Sequence, residues 1–98
     1  MTKAIRIHET GGPEVLRWED VEVGDPGDGE IRVRHTAIGL NYIDTYQRSG
    51  LYPLALPLTL GMEGAGVVEA TGANVSDLKQ GDRVAYAMGL GSYSEVRL

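Results

Sequence analysis

Residues 30–38 read EIRVRHTAI, and their alternation decides the fold. Ile31, Val33 and His35 fall on one side and Arg32, Arg34 and Thr36 on the other. That two-residue period belongs to a strand with one face toward a core. Downstream, 63–71 reads as a second strand, with Gly64, Ala65 and Gly66 leading into Val67 and Val68. Small residues inside a strand imply that another segment or a ligand comes close to the backbone. Upstream, 3–8 alternates with Ile5 and Ile7 on one face, Gly11-Gly12-Pro13 is a turn, and 15–23 is a second extended run around Trp18. The loop GDPGDG at 24–29 follows it. After residue 71 comes a loop to Gln80 with room for one turn of helix, then a strand at 83–87, a turn at 89–91 and a final strand at 92–98. Six strands with one short helix favour an all-β barrel or sandwich.

The helix is expected in GLNYIDTYQRSGLY, 39–52. Asn41 can cap it, Asp44 stands three residues on as in a capping box, and Gly50 sits where a helix ends. Tyr42 and Tyr46 are four apart, as are Asp44 and Arg48. Pro53 and Pro57 then keep 51–60 extended. This stretch, to Gly66, holds the candidate chemistry. Asp44 reads as a cap or, with Glu63, as half of a carboxylate pair for acid–base work. Glu63, an acid among Gly61, Gly64 and Gly66, needs a partner or a purpose. Tyr42, Tyr46 and Tyr52 read either as a satellite core or as the wall of a site.

Composition narrows the functions available. Hydrophobic content of 42% and charged content of 23% suit a single folded domain over 1–98 rather than disorder. Fourteen carboxylates against nine Lys and Arg give a net charge of −5, which argues against nucleic acid, because phosphates need a basic face. No basic amphipathic stretch recommends a membrane surface. The chain contains no cysteine, so disulfides and thiolate metal sites are excluded, and a cytosolic location is the simplest expectation. Gly89-Leu90-Gly91 lacks the third glycine, the helix and the downstream acid of a dinucleotide loop, and reads as a hairpin turn. His8 and His35, in predicted strands away from other ligating residues, read as structural. Asn74-Val75-Ser76 spells a glycosylation acceptor that matches by chance.

AIGLNYIDTYQRSGLY followed by LGMEGAGVVEATGANVSDLKQGDRVAY resembles the N-terminal catalytic domain of the medium-chain dehydrogenase/reductase superfamily. Within it the chain is most similar to the zinc-free NADPH:quinone oxidoreductases, the zeta-crystallin group. HETGGPEVLRWEDVEV extends the likeness over essentially the whole chain.

The resemblance implies a GroES-like, partly open β-barrel with one short helix near 41–48. It implies no zinc: Asn41 stands where the zinc-dependent relatives carry cysteine, and Met62 where they carry histidine, and both are poor zinc ligands. Its implied chemistry is hydride transfer from NADPH to a quinone or another conjugated carbonyl, whose π-system spreads the incoming charge. Tyr46 and Tyr52 would line the acceptor cleft with a phenol available to the carbonyl. Asn41 would hold the cofactor near its nicotinamide ribose, Tyr42 would stand beside it, and Asp44 and Glu63 would support them. The family's dinucleotide-binding domain lies outside these residues. The chain is therefore expected to be a piece of a longer enzyme, inactive alone, with a free sheet edge that favours homo-oligomers. An enoyl-thioester reductase domain, or a non-enzymatic β-module with an assembly role, are the competing expectations.

Overall fold

A computed structural model describes residues 2–98. Seven strands and one helix follow in the order β1 (Thr2–Ile7), β2 (Arg17–Val21), β3 (Ile31–Ile38), α1 (Tyr42–Ser49), β4 (Leu58–Thr59), β5 (Glu63–Thr71), β6 (Arg83–Ala87) and β7 (Val96–Arg97). The expected mostly-β architecture with one short helix is present, as two open antiparallel sheets rather than a closed barrel. One sheet has the order β2-β1-β4 and the other β6-β5-β3-β7. They are stitched together where Ala4 bridges Ser94, where the Ile5 N–H donates to the Tyr93 carbonyl at 2.7 Å, and where the Glu95 N–H donates to the Lys3 carbonyl at 2.9 Å.

The β3–β5 pair is the backbone of the larger sheet, with Val33 opposite Val68 and His35 opposite Gly66. Both valines are buried. The small residues of β5 are required by neighbouring segments. A Cβ on Gly66 would run into the Arg34 carbonyl, and one on Gly64 would lie 2.9 Å from the His35 ring and 3.0 Å from the Tyr86 hydroxyl. On the polar side, Glu69 accepts from Arg32 Nε at 2.7 Å and from Arg34 Nη2 at 2.6 Å, so the alternating arginines share one acid. Burial pushes the Glu69 carboxyl upward, but the Arg34 and Arg32 bonds outweigh it and hold the group below its usual range. A second core, Ile7, Val15 and Leu60, lies under the smaller sheet.

Several expectations change. Val15 and Leu16 do not begin a strand: Pro13–Val15 is a 3-10 turn with Pro13 at its start, and it turns Val15 into the core. β1 buries Ala4 as well as Ile7, residues of opposite parity, because neighbouring segments cover both of its faces. β4 forms at the end of the proline-broken link, pairing Leu58 and Thr59 with Ile7 and Arg6. No helical turn forms between 72 and 80. The last strand is two residues long, and 89–91 is no hairpin turn. β6 and β7 lie at opposite edges of their sheet, so 88–95 crosses from one edge to the other. Left-handed Met88 (φ 69°) and Gly91 (φ 115°) shape that crossing. Arg97 pins it through the Gly89 carbonyl at 3.0 Å.

Candidate functional site

α1 presents an unusual face to the protein. Its buried residues are the polar Asp44 and Gln47, whereas Tyr42 is 83% exposed and Tyr46 39%. A short helix normally buries its apolar stripe, so aromatics turned outward mark a surface kept for something else. The start of the helix explains the inversion. Asp44 accepts from the Asn41 backbone N–H at 3.0 Å, the acid's half of the expected capping box, and the chain leaves through left-handed Gly50 (φ 89°). The same Asp44 oxygen accepts from the Tyr93 hydroxyl at 2.6 Å, a charge-assisted bond across 49 residues of sequence. Burial and this carboxylate push the Tyr93 phenol well above its ordinary range, against a smaller opposing effect of the Arg48 charge. The i, i+4 ion pair of Asp44 with Arg48 is not formed. Arg48 Nε donates instead to the Gly11 carbonyl at 3.2 Å.

The structure divides the sequence-derived site residues into three groups. Asn41, Tyr42 and Glu63 come together with Ile43, Met62, Ala87 and Met88 around a cavity of ≈ 330 Å³. Tyr46 and Tyr52 lie outside that cavity and pair edge to face. Asp44 lies beneath the surface, 2% exposed. No hydrogen bond joins Asp44 to Glu63 among the described residues, and the Glu63 side chain is exposed over Gly39. The carboxylate pair is not assembled here.

Two contributors escaped the sequence reading. Met88 lines the cavity, 80% exposed and in a left-handed conformation that a bulky residue seldom adopts; no local signal announces it. Tyr93 sits in a run of small and polar residues that gives no hint of its partner. Both histidines find hydrogen-bond partners in the domain; His8 falls just past β1, beside an acid that the sequence did not announce. His8 Nε2 lies 2.7 Å from Glu19 Oε1. The bonds from His8 and Arg6 hold Glu19 below its usual range. His35 Nδ1 lies 2.7 Å from the Ser94 carbonyl and its Nε2 2.7 Å from the Tyr86 hydroxyl. A carbonyl only accepts, so Nδ1 carries the proton and Nε2 accepts from Tyr86.

Among the described residues no three His, Cys, Asp or Glu side chains gather as metal ligands. The cavity suits part of a nicotinamide cofactor. Its wall offers the Asn41 amide and an aromatic ring, enough for an uncharged ribose or ring edge. It offers no cationic side chain and carries Glu63, so it is unsuited to the pyrophosphate.

Two open antiparallel sheets, one short helix and a site at the helix start define a GroES-like β-domain. The chain belongs to the alcohol dehydrogenase GroES-like domain family, whose model matches residues 27–97. It is 58% identical over 100 residues to a quinone oxidoreductase of Pseudomonas aeruginosa, covering all of this chain and 31% of that protein. It is 47% identical to a 2-haloacrylate reductase of Burkholderia sp, again over the whole chain and 31% of the relative. Among solved structures, an Escherichia coli quinone oxidoreductase complexed with NADPH superposes with a TM-score of 0.93 at 50% identity, over 97% of this chain and 30% of that one. The chain thus spans about a third of the length of the relatives it matches.

Proposed function

We propose that residues 1–98 form the substrate-side domain of an NADPH-dependent quinone oxidoreductase that works without zinc. The observation that carries this reading is that Asn41 and Met62 line one cavity together with Tyr42 and Glu63. The two positions at which zinc-dependent relatives place thiolate and imidazole ligands here hold an amide and a thioether. The likeness to the Pseudomonas aeruginosa and Escherichia coli proteins supports the same reading. In it, a bound NADPH supplies a hydride from its nicotinamide ring. The rest of the chemistry falls to side chains. Asn41 and Tyr42 hold the nicotinamide end. Tyr46 and Tyr52 present an aromatic wall to a flat acceptor, and a phenol donates a hydrogen bond to the carbonyl oxygen on which charge accumulates. Asp44 fixes the helix start from beneath, and Glu63 borders the opening. The pyrophosphate must be held by residues beyond these, so 1–98 alone is inactive in this reading.

A cytosolic location fits a chain without cysteine, and no helix among the described residues is long and apolar enough to cross a membrane. Homo-oligomerisation also belongs to the reading. It is supported by the outward side chains of Leu40, at 81% exposed, and Leu51, at 64%. Sedimentation of the full-length polypeptide checks it, and a clean monomer at micromolar concentration counts against it.

The activity is tested by following NADPH oxidation by the full-length polypeptide with quinones, enoyl thioesters and 2-haloacrylates in parallel. Turnover is expected with quinones and unaffected by chelators. Preference for an enoyl thioester would transfer the domain to that branch. No turnover with any acceptor would favour an assembly module.

A further inference from the structure

Two walls face each other across the Asn41–Met62 cavity: the first residues of α1, Asn41 to Ile43, and the entry to β5, Met62 and Glu63. They come from different parts of the chain, and one residue is fastened to both. The Tyr93 hydroxyl donates to Asp44 Oδ2 at 2.6 Å, and that same oxygen accepts from the Asn41 N–H. The Tyr93 backbone N–H donates to the Leu60 carbonyl at 2.9 Å, two residues before Met62. Next to it, Gly61 is left-handed (φ 103°), and a Cβ there would lie 2.5 Å from Tyr93 Cδ1 and 2.9 Å from the Tyr93 nitrogen. The Tyr93 ring packs on the Ile7–Val15–Leu60 core, and its carbonyl accepts from Ile5 in β1. The residue is therefore anchored to β1 and to the link between β4 and β5 before it reaches out to the helix. A side-chain link from further along α1 is long by comparison, Gln47 Nε2 to Met62 Sδ at 3.7 Å.

We infer that Tyr93 is a positioning residue that sets the separation of the two cavity walls, through its hydroxyl on the Asp44 cap and its backbone on Leu60. Its consequence for catalysis rests on the function proposed above; its consequence for the cavity does not. Asp44 is the hinge of the argument. Its carboxylate is buried, and one oxygen, Oδ1, is without a protein hydrogen bond. The other oxygen therefore carries all its protein contacts, and removing the Tyr93 donor leaves only the Asn41 and helix N-terminal dipoles to hold it. Arg48 still fixes the far end of α1 to Gly11. Among the described residues the cap end then keeps only the Gly39 N–H bond to the Glu63 carbonyl at 3.2 Å and the Gln47–Met62 contact as ties to β5. Asn41 and Tyr42 therefore shift more freely against Met62 and Glu63.

The test uses the full-length polypeptide, with Tyr93→Phe removing only the hydroxyl. Amide hydrogen exchange, measured without substrate, is expected to speed up about tenfold over 41–45, the loss associated with one hydrogen bond to a charged group. Amides of β3 and β5 keep their wild-type rates. In turnover, KM for NADPH is expected to rise about fivefold to tenfold with kcat changing less, because the groups remain present but their spacing is lost. Asp44→Asn with Tyr93 intact keeps an oxygen for both donors and is expected to retain most of the wild-type protection at 41–45. Unchanged exchange at 41–45 in a folded Tyr93→Phe protein overturns the inference, as does a uniform rise across the domain. Should that variant not fold, the hydroxyl proton of wild-type Tyr93 decides instead: slow exchange with solvent supports the inference, and rapid exchange overturns it. Because exchange is read without substrate, a wild type that reduces no quinone overturns the proposed function and leaves the positioning role to be judged on exchange alone.

Discussion

The Tyr46 and Tyr52 rings meet edge to face, their centroids 5.6 Å apart and their planes at 86°. The Tyr52 N–H also donates to the Tyr46 carbonyl at 3.3 Å, so the link after α1 folds back onto its last turn. This makes one aromatic unit of residues that the helix and the link contribute separately. Tyr46 is four residues from Tyr42, so the unit continues the helix face that borders the cavity.

The pair gives a direct test of roles in the full-length polypeptide. Tyr52→Phe keeps the ring contact and removes a hydroxyl. If that hydroxyl serves the acceptor carbonyl, kcat falls about tenfold or more with KM nearly unchanged. Tyr52→Ala also removes the edge-to-face partner and is expected to raise KM. Steady-state kinetics of both variants and of Tyr46→Phe identify which phenol is the donor. Unaltered kcat in both Phe variants would remove the tyrosines from the chemistry.

Asp44→Ala is expected to cost about 2–4 kcal/mol in urea unfolding, combining a lost helix cap with a half-buried phenol left without its acceptor. Asp44→Asn, which keeps an oxygen in place, is expected to cost less than half as much. Equal costs would show that the charge rather than the geometry matters.

Gly66→Ala places a Cβ against the Arg34 carbonyl in the middle of the sheet, where backbone cannot yield cheaply. A loss of about 2–3 kcal/mol is expected. Gly81→Ala is the control, with a left-handed backbone (φ 96°) but nothing within 4 Å of its new methyl, and about 1 kcal/mol is expected. Thermal melts of the two variants should rank in that order.

His35 predicts a pH dependence of stability. Burial lowers it below the ordinary 6.5, the Ser94 carbonyl bond opposes, and the Arg97 charge lowers it further. The folded state therefore binds the proton less readily than the unfolded chain. Stability is full above pH 6.5 and declines as pH falls through that value, where the unfolded state begins to take up the proton. Glu19 and Glu69 act in a lower window. Both are held below the ordinary carboxylate value of 4.5, and their contribution is lost only as pH falls beneath it. Urea titrations at pH 7.5, 5.5 and 4 should resolve the two steps, and His35→Gln should remove the first and keep the second.

Legibility in the sequence followed the range of the interaction. β3 was readable because Ile31 and Val33 carry the strand period two residues apart, and β5 because its small residues lead into the β-branched Val67 and Val68. The α1 boundaries were readable because Asn41, Asp44 and Gly50 act within one turn of themselves. The 88–95 crossing was not. Gly89 and Gly91 permit a reversal of the chain but do not say which strand it must reach, and here the destination is the far edge of the sheet. Asp44 was correctly placed as a cap, yet its bond to Tyr93 has no local trace, since the partner lies 49 residues away. The three groups into which the site residues fall follow from such distant contacts.

The stitching of Lys3 to Glu95 bears on how the domain is made. The Lys3 N–H donates to Glu95 Oε1 at 2.7 Å across 92 residues, and the Glu95 N–H returns to the Lys3 carbonyl. During synthesis β1 precedes the other strands of this domain. β4 covers its edge at Arg6 and Ile7, but the part of that edge beside Ala4 stays open until residues 94–95 have left the ribosome. Hairpins such as β1–β2 can form early, yet closure of the two sheets waits on the longest loop available, the most costly in chain entropy. Through that interval β1 is an unfinished edge, and shielding it falls to chaperones or to fast completion of translation.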